Sequence, residues 1–284
     1  MERPPTTSIA ELLERYDGLL IDAYGVLVHS SDAFPGARSL VDNLNGLGFP
    51  YVVVTNDASR LPTTAAEKYR NCGLDIDVER VVTSGSLLEP YFEDRGLTGA
   101  DCAVLGTRDS KIYVERAGGN VVDPRERDFD VLVLGDDAGF PFRESMDATI
   151  TRLIRRIDHG ESVELVLPNP DLIYQQGPDR YGFAVGSLAQ MFEVVLDERF
   201  PDLDLKFDRL GKPHHPIYEE AERRIGSENV AMLGDQLATD IDGANRAGID
   251  SVLVSGGVTN LETALASSAV QPDFILDSLE HLEE

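Results

Sequence analysis

Short apolar runs alternate with amphipathic segments along most of the chain. In the first third, residues 18–21, 51–54 and 80–83 have the length and β-branched content of buried strands. Between the first two runs, residues 40–47 carry apolar side chains at helical spacing. Strands that alternate with helices favour a parallel sheet with helical crossovers, so this part of the chain is predicted to be α/β.

A second α/β pattern interrupts the first one. Its predicted strands are at residues 101–106, 121–122, 130–135 and 163–167. One helix is predicted, at residues 146–157. The first pattern then resumes with a predicted helix at 216–224 and strands at 230–233 and 251–254. We therefore predict a parallel-sheet core made of residues 1–85 and 190–284, with residues 86–189 inserted as an α/β cap domain.

The charge of the chain limits its partners. The 284 residues include 51 acidic and 25 basic side chains, which gives a formal net charge of −26. Nucleic acid and anionic membranes need a basic surface, so we expect neither as a partner. The N-terminal residues lack the pattern of a signal peptide and no apolar run spans a bilayer, so we expect a soluble cytoplasmic protein. Two cysteines without paired spacing indicate neither disulfides nor a zinc site.

The acidic residues are scattered along the whole chain instead of forming a tail. The simpler interpretation is an ordinary solvated surface. The alternative is adaptation to a salt-rich cytoplasm, where screening relieves the repulsion between like charges. That hypothesis predicts a melting temperature that rises with KCl concentration, and a flat response would contradict it.

Polar residues follow three of the predicted core strands. Asp22 follows residues 18–21, Thr55 and Asn56 follow 51–54, and Asp235 follows 230–233. Lys212 lies between the second and third of these positions along the chain. Because open α/β sheets bind ligands at the carboxyl ends of their strands, this set could hold a divalent cation and a phosphate together.

Each of these groups fits phosphoryl transfer. Asp22 would attack phosphorus, while Lys212 neutralises both the nucleophile and the phosphate. Asp22, Asp235 and a backbone carbonyl near Tyr24 would bind Mg²⁺, and Asp240 would bind a metal water or hold Lys212.

Two further groups would contact the phosphate. The hydroxyl of Thr55 and the backbone amide of Asn56 would donate hydrogen bonds to its oxygens. Taken singly, a strand-end Asp22 or Thr55 is more often only the cap of the next helix. The ordered combination of all these residues is what favours catalysis.

That combination resembles the haloacid dehalogenase superfamily of phosphatases. Its four motifs are matched by Asp22-Ala23-Tyr24-Gly25-Val26-Leu27, Thr55-Asn56, Gly211-Lys212-Pro213 and Gly234-Asp235-Gln236-Leu237-Ala238-Thr239-Asp240. The large insertion is similar to the cap of the nitrophenylphosphatase-like and sugar-phosphatase-like subgroup. The resemblance implies a Rossmann-like core, Mg²⁺ as cofactor, a small phosphomonoester as substrate and an aspartyl-phosphate at Asp22.

The same resemblance locates a substrate loop in the cap. Residues 171–181 would form it, with Asn169, Asp171, Arg180 and Tyr181 as candidate substrate-binding residues. Arg180 would clamp a second anionic group, or it is simply a solvated loop residue. By analogy with the subgroup, a homodimer through the cap is expected.

One position departs from the family pattern. Phosphatases of this superfamily usually have a second Asp two residues after the nucleophile, which serves as general acid, and here that position is Tyr24. A general acid is typically worth about 10²–10⁴-fold in rate, so weak turnover is expected. The sequence Asp-Ala-Tyr-Gly also resembles hydrolytic 2-haloacid dehalogenases, although Asp235, Asp240 and the large cap favour a phosphatase. A phosphate-ligand binding or regulatory protein that has lost turnover is the third alternative.

Overall fold

The computed structural model describes residues 3–29, 32–177, 180–255 and 268–280. In chain order its strands are β1 (Thr6–Thr7), β2 (Gly18–Asp22), β3 (Val28–His29), β4 (Asp32–Ala33), β5 (Tyr51–Thr55), β6 (Val81–Thr83), β7 (Asp101–Leu105), β8 (Asn120–Val122), β9 (Val131–Leu134), β10 (Glu164–Leu167), β11 (Ile173–Gly177), β12 (Arg180–Phe183), β13 (Asp208–Arg209), β14 (Val230–Gly234), β15 (Asp250–Val254) and β16 (Phe274–Leu276). Its α-helices are α1 (Ile9–Arg15), α2 (Ala37–Leu47), α3 (Pro62–Asn71), α4 (Leu88–Arg95), α5 (Arg108–Arg116), α6 (Phe142–Asp158), α7 (Val185–Arg199), α8 (His215–Ile225) and α9 (Asp242–Ala247).

The chain divides into two compact units, and the first is built on a seven-stranded sheet. This unit comprises residues 1–55, 62–82 and 212–284. Its strand order is β1-β16-β15-β14-β2-β5-β6, and β2 pairs in parallel with both β14 and β5. All five residues of β2, β5 and β14 are buried, as expected for central strands covered on both faces.

The second unit comprises residues 56–61 and 83–211. Its five-stranded sheet has the order β13-β10-β9-β7-β8, and the pairs on either side of β9 are parallel. An antiparallel hairpin of β11 and β12 completes the unit. Two parallel sheets with helical crossovers confirm the predicted α/β class and the Rossmann-like core.

Local sequence signals account for several helix ends. Ser8 and Glu11 form a capping box at the start of α1. α2 ends at Gly48, whose φ of +63° suits a residue without a Cβ. Of the α-helices that the structure describes, α5 and α7 were not predicted. Part of the predicted loop at 171–181 is the β11–β12 hairpin. Residues 178–179 lie outside the described part.

The boundary between the units differs from the sequence-based one. The sequence placed the end of the inserted segment at residue 189, whereas the second unit continues to residue 211. The reason is α7, since its buried Phe192 and Leu196 pack in the same apolar cluster as Leu132 and Leu134 of β9. None of the helices described has the length and apolar content needed to cross a membrane.

Candidate active site

The parallel register of three central strands brings predicted site residues to one edge of the core sheet. Asp22 ends β2 and lies opposite Val54 of β5, so Thr55 is the next residue along that neighbouring strand. Asp235 directly follows β14, which pairs with β2 on its other side. Because carboxyl ends of parallel strands share an edge, Asp22, Thr55 and Asp235 end their strands at the same edge, and all three are buried.

Lys212 joins two of the predicted acids. The residue is 3% exposed, and its side chain donates hydrogen bonds to the carboxylate of Asp22, to Asp240 Oδ1 at 2.7 Å and to the carbonyl of Val54 at 3.1 Å. Burial alone would lower the pKa of Lys212, but Asp22 and Asp240 raise that pKa above its ordinary value, so the ammonium stays charged. Of the two roles open to Asp240 from sequence, the structure shows the one that holds Lys212.

Asp240 is itself fixed by the turn that carries it. Its Oδ1 accepts from Lys212, and its Oδ2 accepts from the backbone N–H groups of Asp235 at 3.2 Å and Gln236 at 3.1 Å. The turn is π-helical, a conformation common at functional sites. The hydroxyl of Tyr218, which sequence reasoning missed, donates to the carbonyl of the residue before Asp240 at 3.0 Å. Both carboxylate oxygens of Asp240 are thus occupied by protein donors.

Two glycines let the backbone approach these carboxylates closely. A Cβ on Gly25 would lie 2.2 Å from Asp235 Oδ2, and the φ of Gly25 is +101°. A Cβ on Gly234 would lie 2.1 Å from the Cβ of Asp240. Real Cβ contacts are never so short, so neither position accepts a side chain without moving an acid.

The acids of this group outnumber the one cation that the described residues place among them. With all three carboxylates ionised (Asp22, Asp235 and Asp240), the one ammonium (Lys212) would leave an excess of two negative charges, from −3 and +1. Burial raises the pKa of Asp22 well above its ordinary value, and although Lys212 opposes that shift, Asp240 and Asp235 add to it.

The same group has the ligands for a divalent cation. Asp22, Asp235 and Asp240 each offer a carboxylate oxygen within 4.8 Å of the others. Oδ2 of Asp22 is buried and has no hydrogen-bond partner in the part of the chain that the structure describes. Oxygen donors and a twofold negative excess fit a hard cation such as Mg²⁺.

Tyr24, at the position where the family usually has a second Asp, is held by a lysine. Lys68 Nζ lies 2.6 Å from the hydroxyl oxygen of Tyr24 and 4.5 Å from the centroid of its ring. Lys68 projects from α3 and is partly buried, as is Tyr24. Sequence reasoning missed Lys68, and the only available signal was that the chain has just four lysines.

Three of the predicted ligand-contacting residues form one hydrogen-bonded group in the second unit. Asn56 Nδ2 donates to Asp171 Oδ1 at 2.8 Å, and the backbone N–H of Asp171 donates to Asn169 Oδ1 at 2.9 Å. Arg180 and Tyr181 lie apart from them in sequence, on β12, where both are exposed. Asn56 and Asn169 therefore both bond to Asp171. Arg180 and Tyr181 lie on the β11–β12 hairpin instead.

Comparison with protein families gives two matches that together cover much of the chain. Residues 19–120 match the haloacid dehalogenase-like hydrolase family, and residues 209–282 match a second family described as HAD-hydrolase-like. The first match contains Asp22 and Thr55, and the second contains Lys212, Asp235 and Asp240.

Individual relatives agree with the family matches. An acid sugar phosphatase of Staphylococcus aureus is 29% identical over 252 residues, which is 88% of this chain and 90% of that protein. The crystal structure of a possible sugar phosphatase of the HAD superfamily from Cytophaga hutchinsonii is 30% identical, with a TM-score of 0.83 over 97% of this chain and 98% of that one. A p-nitrophenyl phosphatase from Archaeoglobus fulgidus is 25% identical, with a TM-score of 0.78 over 93% and 97% of the two chains.

Proposed function

The chain belongs to the haloacid dehalogenase-like hydrolases, as an enzyme of the phosphatase type that these relatives represent, and we propose that it hydrolyses a small phosphomonoester, such as a sugar phosphate, through an aspartyl-phosphate at Asp22. The observation that carries this proposal is the buried Lys212, bonded to both Asp22 and Asp240. A lysine in that place lets one anion approach another, because it reduces the negative charge of both.

The proposed reaction has two displacements. A carboxylate oxygen of Asp22 forms a bond to phosphorus while the ester P–O bond breaks, and the leaving oxygen departs with the electron pair and takes a proton from solvent. Water then attacks the phosphorus of the aspartyl-phosphate, which releases inorganic phosphate and regenerates Asp22. The hydroxyl of Thr55, the backbone N–H of Asn56 and the ammonium of Lys212 bind the phosphate oxygens in both steps.

Mg²⁺ is the proposed cofactor. Asp22, Asp235 and the backbone carbonyl of Tyr24 would hold it, with Asp240 acting through Lys212. When bound, the ion supplies positive charge that neutralises the phosphate and the acids around it. Its support is the charge excess of the buried group together with the unpartnered Oδ2 of Asp22.

Recognition of the rest of the substrate is proposed to involve the second unit. The candidates are the predicted residues Asn169, Asp171, Arg180 and Tyr181. Arg180 offers a guanidinium for a second anionic group on the substrate.

The test is phosphate release from a panel of phosphomonoesters that includes p-nitrophenyl phosphate and sugar phosphates. Each is assayed with Mg²⁺ or with EDTA, at low and at molar KCl. We expect release that requires Mg²⁺ and that falls by at least about 10³-fold in Asp22→Asn, because the amide is not a nucleophile. Asp136→Asn is the matched control, since Asp136 also follows a parallel strand, in the second unit.

Two other results would replace the proposal. Halide release from 2-haloacids without phosphate release would make the chain a dehalogenase, the alternative that Tyr24 suggests. Saturable binding of a phosphorylated ligand, measured by calorimetry with no product formed, would make it a binding protein.

A further inference from the structure

We propose that the hydroxyl of Tyr24, held by Lys68, donates a hydrogen bond to the leaving-group oxygen of the substrate and so replaces the carboxylic acid that the family usually has at this position. This inference rests on the proposed phosphatase activity. It assigns a catalytic role to Tyr24 and a positioning role to Lys68, which acts through Tyr24.

The direction of the hydrogen bond is the first argument. An ammonium group has three donors and no acceptor, so in the 2.6 Å contact Lys68 donates and the oxygen of Tyr24 accepts. The hydroxyl hydrogen of Tyr24 is therefore not used on Lys68 and is available to a substrate acceptor. Because the oxygen accepts from a full positive charge, the O–H bond is more strongly polarised and becomes a better donor.

The second argument is that the hydroxyl is fixed in place. The ring of Tyr24 packs against the apolar core of the first unit, and Lys68 Nζ lies 4.5 Å from its centroid, within cation–π range. The backbone around Tyr24 is also tied down, because the carbonyl of Ala23 accepts from Leu27 at 3.0 Å and from Val28 at 2.8 Å. A donor that is already oriented loses little entropy when it meets its acceptor.

Location is the third argument. Tyr24 is two residues beyond Asp22, in the loop at the carboxyl end of β2. Lys68 lies on α3, the helix that follows the strand ending in Thr55. The two segments that bring Asp22 and Thr55 to the sheet edge thus also bring Tyr24 and Lys68 together.

The charge of the pair gives the substrate preference. A phenol and an ammonium together carry one positive charge, so the pair stabilises negative charge on the leaving oxygen. A p-nitrophenolate leaving group needs little such help, whereas the oxygen of a primary alcohol needs much more. Loss of the pair should therefore affect alkyl phosphates far more than aryl phosphates.

The experiment compares kcat/KM for β-glycerol phosphate and p-nitrophenyl phosphate in Tyr24→Phe, Lys68→Met and the double variant. We expect Tyr24→Phe to lower kcat/KM by about 10²-fold for the alkyl ester, as for loss of one transition-state donor, and by less than about threefold for the aryl ester. Lys68→Met should lower the alkyl rate by about tenfold, since it weakens the donor without removing it. The double variant should be no worse than Tyr24→Phe, because Lys68 acts through that hydroxyl.

Conservative and remote variants complete the test. Lys68→Arg keeps a cationic donor and should restore most of the alkyl rate. Lys206→Met removes an exposed lysine of the second unit, and Tyr16→Phe removes a hydroxyl that bonds Asp250; neither should change the ratio of the two rates.

The outcomes separate this inference from the proposed function. If the unmodified chain releases no phosphate from either ester, the proposed function fails. If it does, but Tyr24→Phe lowers both rates by the same factor or neither rate, Tyr24 is only a structural tether and the inference is wrong.

Discussion

Both units of this chain place acids after a parallel strand, yet among the residues that the structure describes only the acidic group of the first unit has a lysine at its centre. In the first unit, Asp22 and Asp235 follow neighbouring parallel strands and Lys212 bonds to Asp22. In the second unit, Asp136 comes just after β9, and the charged groups that shift its pKa are Asp137 and Asp57, which are both carboxylates.

The edge of the second sheet is instead filled by the chain itself. Thr107, at the end of β7, donates to the carbonyl of Ser59 at 2.8 Å, and Ser110 donates to the carbonyl of Ala58 at 2.9 Å. The backbone N–H of Leu61 donates to Asp109 Oδ2 at 3.0 Å. The edge of one parallel sheet thus binds a segment of its own chain, whereas the edge of the other gathers Asp22, Asp235 and Asp240 around Lys212.

A strand-end Asp is therefore not enough to make a catalytic site. What distinguishes the first unit is that a buried cation, a hydroxyl and three acids converge at one edge, where the acids outnumber the cation. Fold alone does not predict that difference, whereas the residues that follow each strand do.

The largest effect should come from removing the lysine that distinguishes the two groups. Lys212→Met leaves Asp22 and Asp240 buried without their common partner, which typically costs about 3–5 kcal/mol of unfolding free energy. We expect a loss of this size in urea unfolding at pH 8, with phosphatase activity reduced at least about 10³-fold. The loss should be smaller at pH 5, because Asp22 and Asp240 can take up protons there when Lys212 is absent.

Lys206→Met serves as the control, because this exposed lysine should change the unfolding free energy by less than about 0.5 kcal/mol. A loss below about 1 kcal/mol in Lys212→Met would mean that the ion pairs of Lys212 contribute little to the unfolding free energy. In that case the two acidic groups would differ less than their contacts indicate.

The sequence predicted that Asp22, Lys212 and Asp240 lie close together. Asp22 and Asp235 lie at the ends of neighbouring apolar strands, whose parallel register brings them to one edge, and Asp240 lies in the same motif as Asp235. Lys212 belongs to a separate motif, and its ion pairs show that it lies with Asp22 and Asp240.

Other features depend on information that no local pattern holds. Lys68 reaches Tyr24 across 44 residues, and which face of α3 meets β2 is set by packing. The β11–β12 hairpin has large side chains exposed, including Ile173 and Phe183, so its strands lack the buried apolar alternation that marks a strand in a sequence. The cytoplasmic location, the homodimer and the substrate contacts of the second unit stay predictions.

Glycines that support the two sheet edges give a second, smaller contrast. Gly25→Ala and Gly139→Ala both place a Cβ at positive φ, +101° and +88°, with contacts of 2.2 Å to Asp235 and 2.7 Å to Thr107. Each should lower the unfolding free energy by about 2–3 kcal/mol, from strain plus displacement of a neighbour. Only Gly25→Ala should also lower kcat/KM, by about 10²-fold, because it moves a proposed metal ligand.

Gly48→Ala isolates the strain alone, since its φ is +63° and nothing lies within 4 Å of the added Cβ. It should cost about 1 kcal/mol and leave activity intact. Equal activity losses in Gly25→Ala and Gly139→Ala would mean that the edge of the second sheet is also functional.

The smallest expected effect tests the acids of the second unit directly. Burial and then the charge of Asp137 raise the pKa of Asp136 to about 6, above its value in an unfolded chain. The folded state therefore holds an extra proton between about pH 4 and pH 6, so stability falls as pH rises through that window and stays lower above it. Asp136→Asn should remove this cost and stabilise the chain at pH 8 by about 1 kcal/mol, a value discounted because the side chain is only partly buried, with no gain at pH 4.

Urea unfolding at pH 4, 6 and 8 measures this effect, and Asp197→Asn on the exposed face of α7 is the control that should show no pH-dependent gain. A gain for Asp136→Asn that is equal at all three pH values would show that the fold does not raise the pKa of Asp136. A gain that grows with pH would mean that the second unit tolerates the same crowding of carboxylates as the first, without a lysine to offset it. Both sheet edges would then hold crowded carboxylates, and they would differ because Lys212 offsets that charge at the first edge. This difference makes only the first edge a candidate for catalysis.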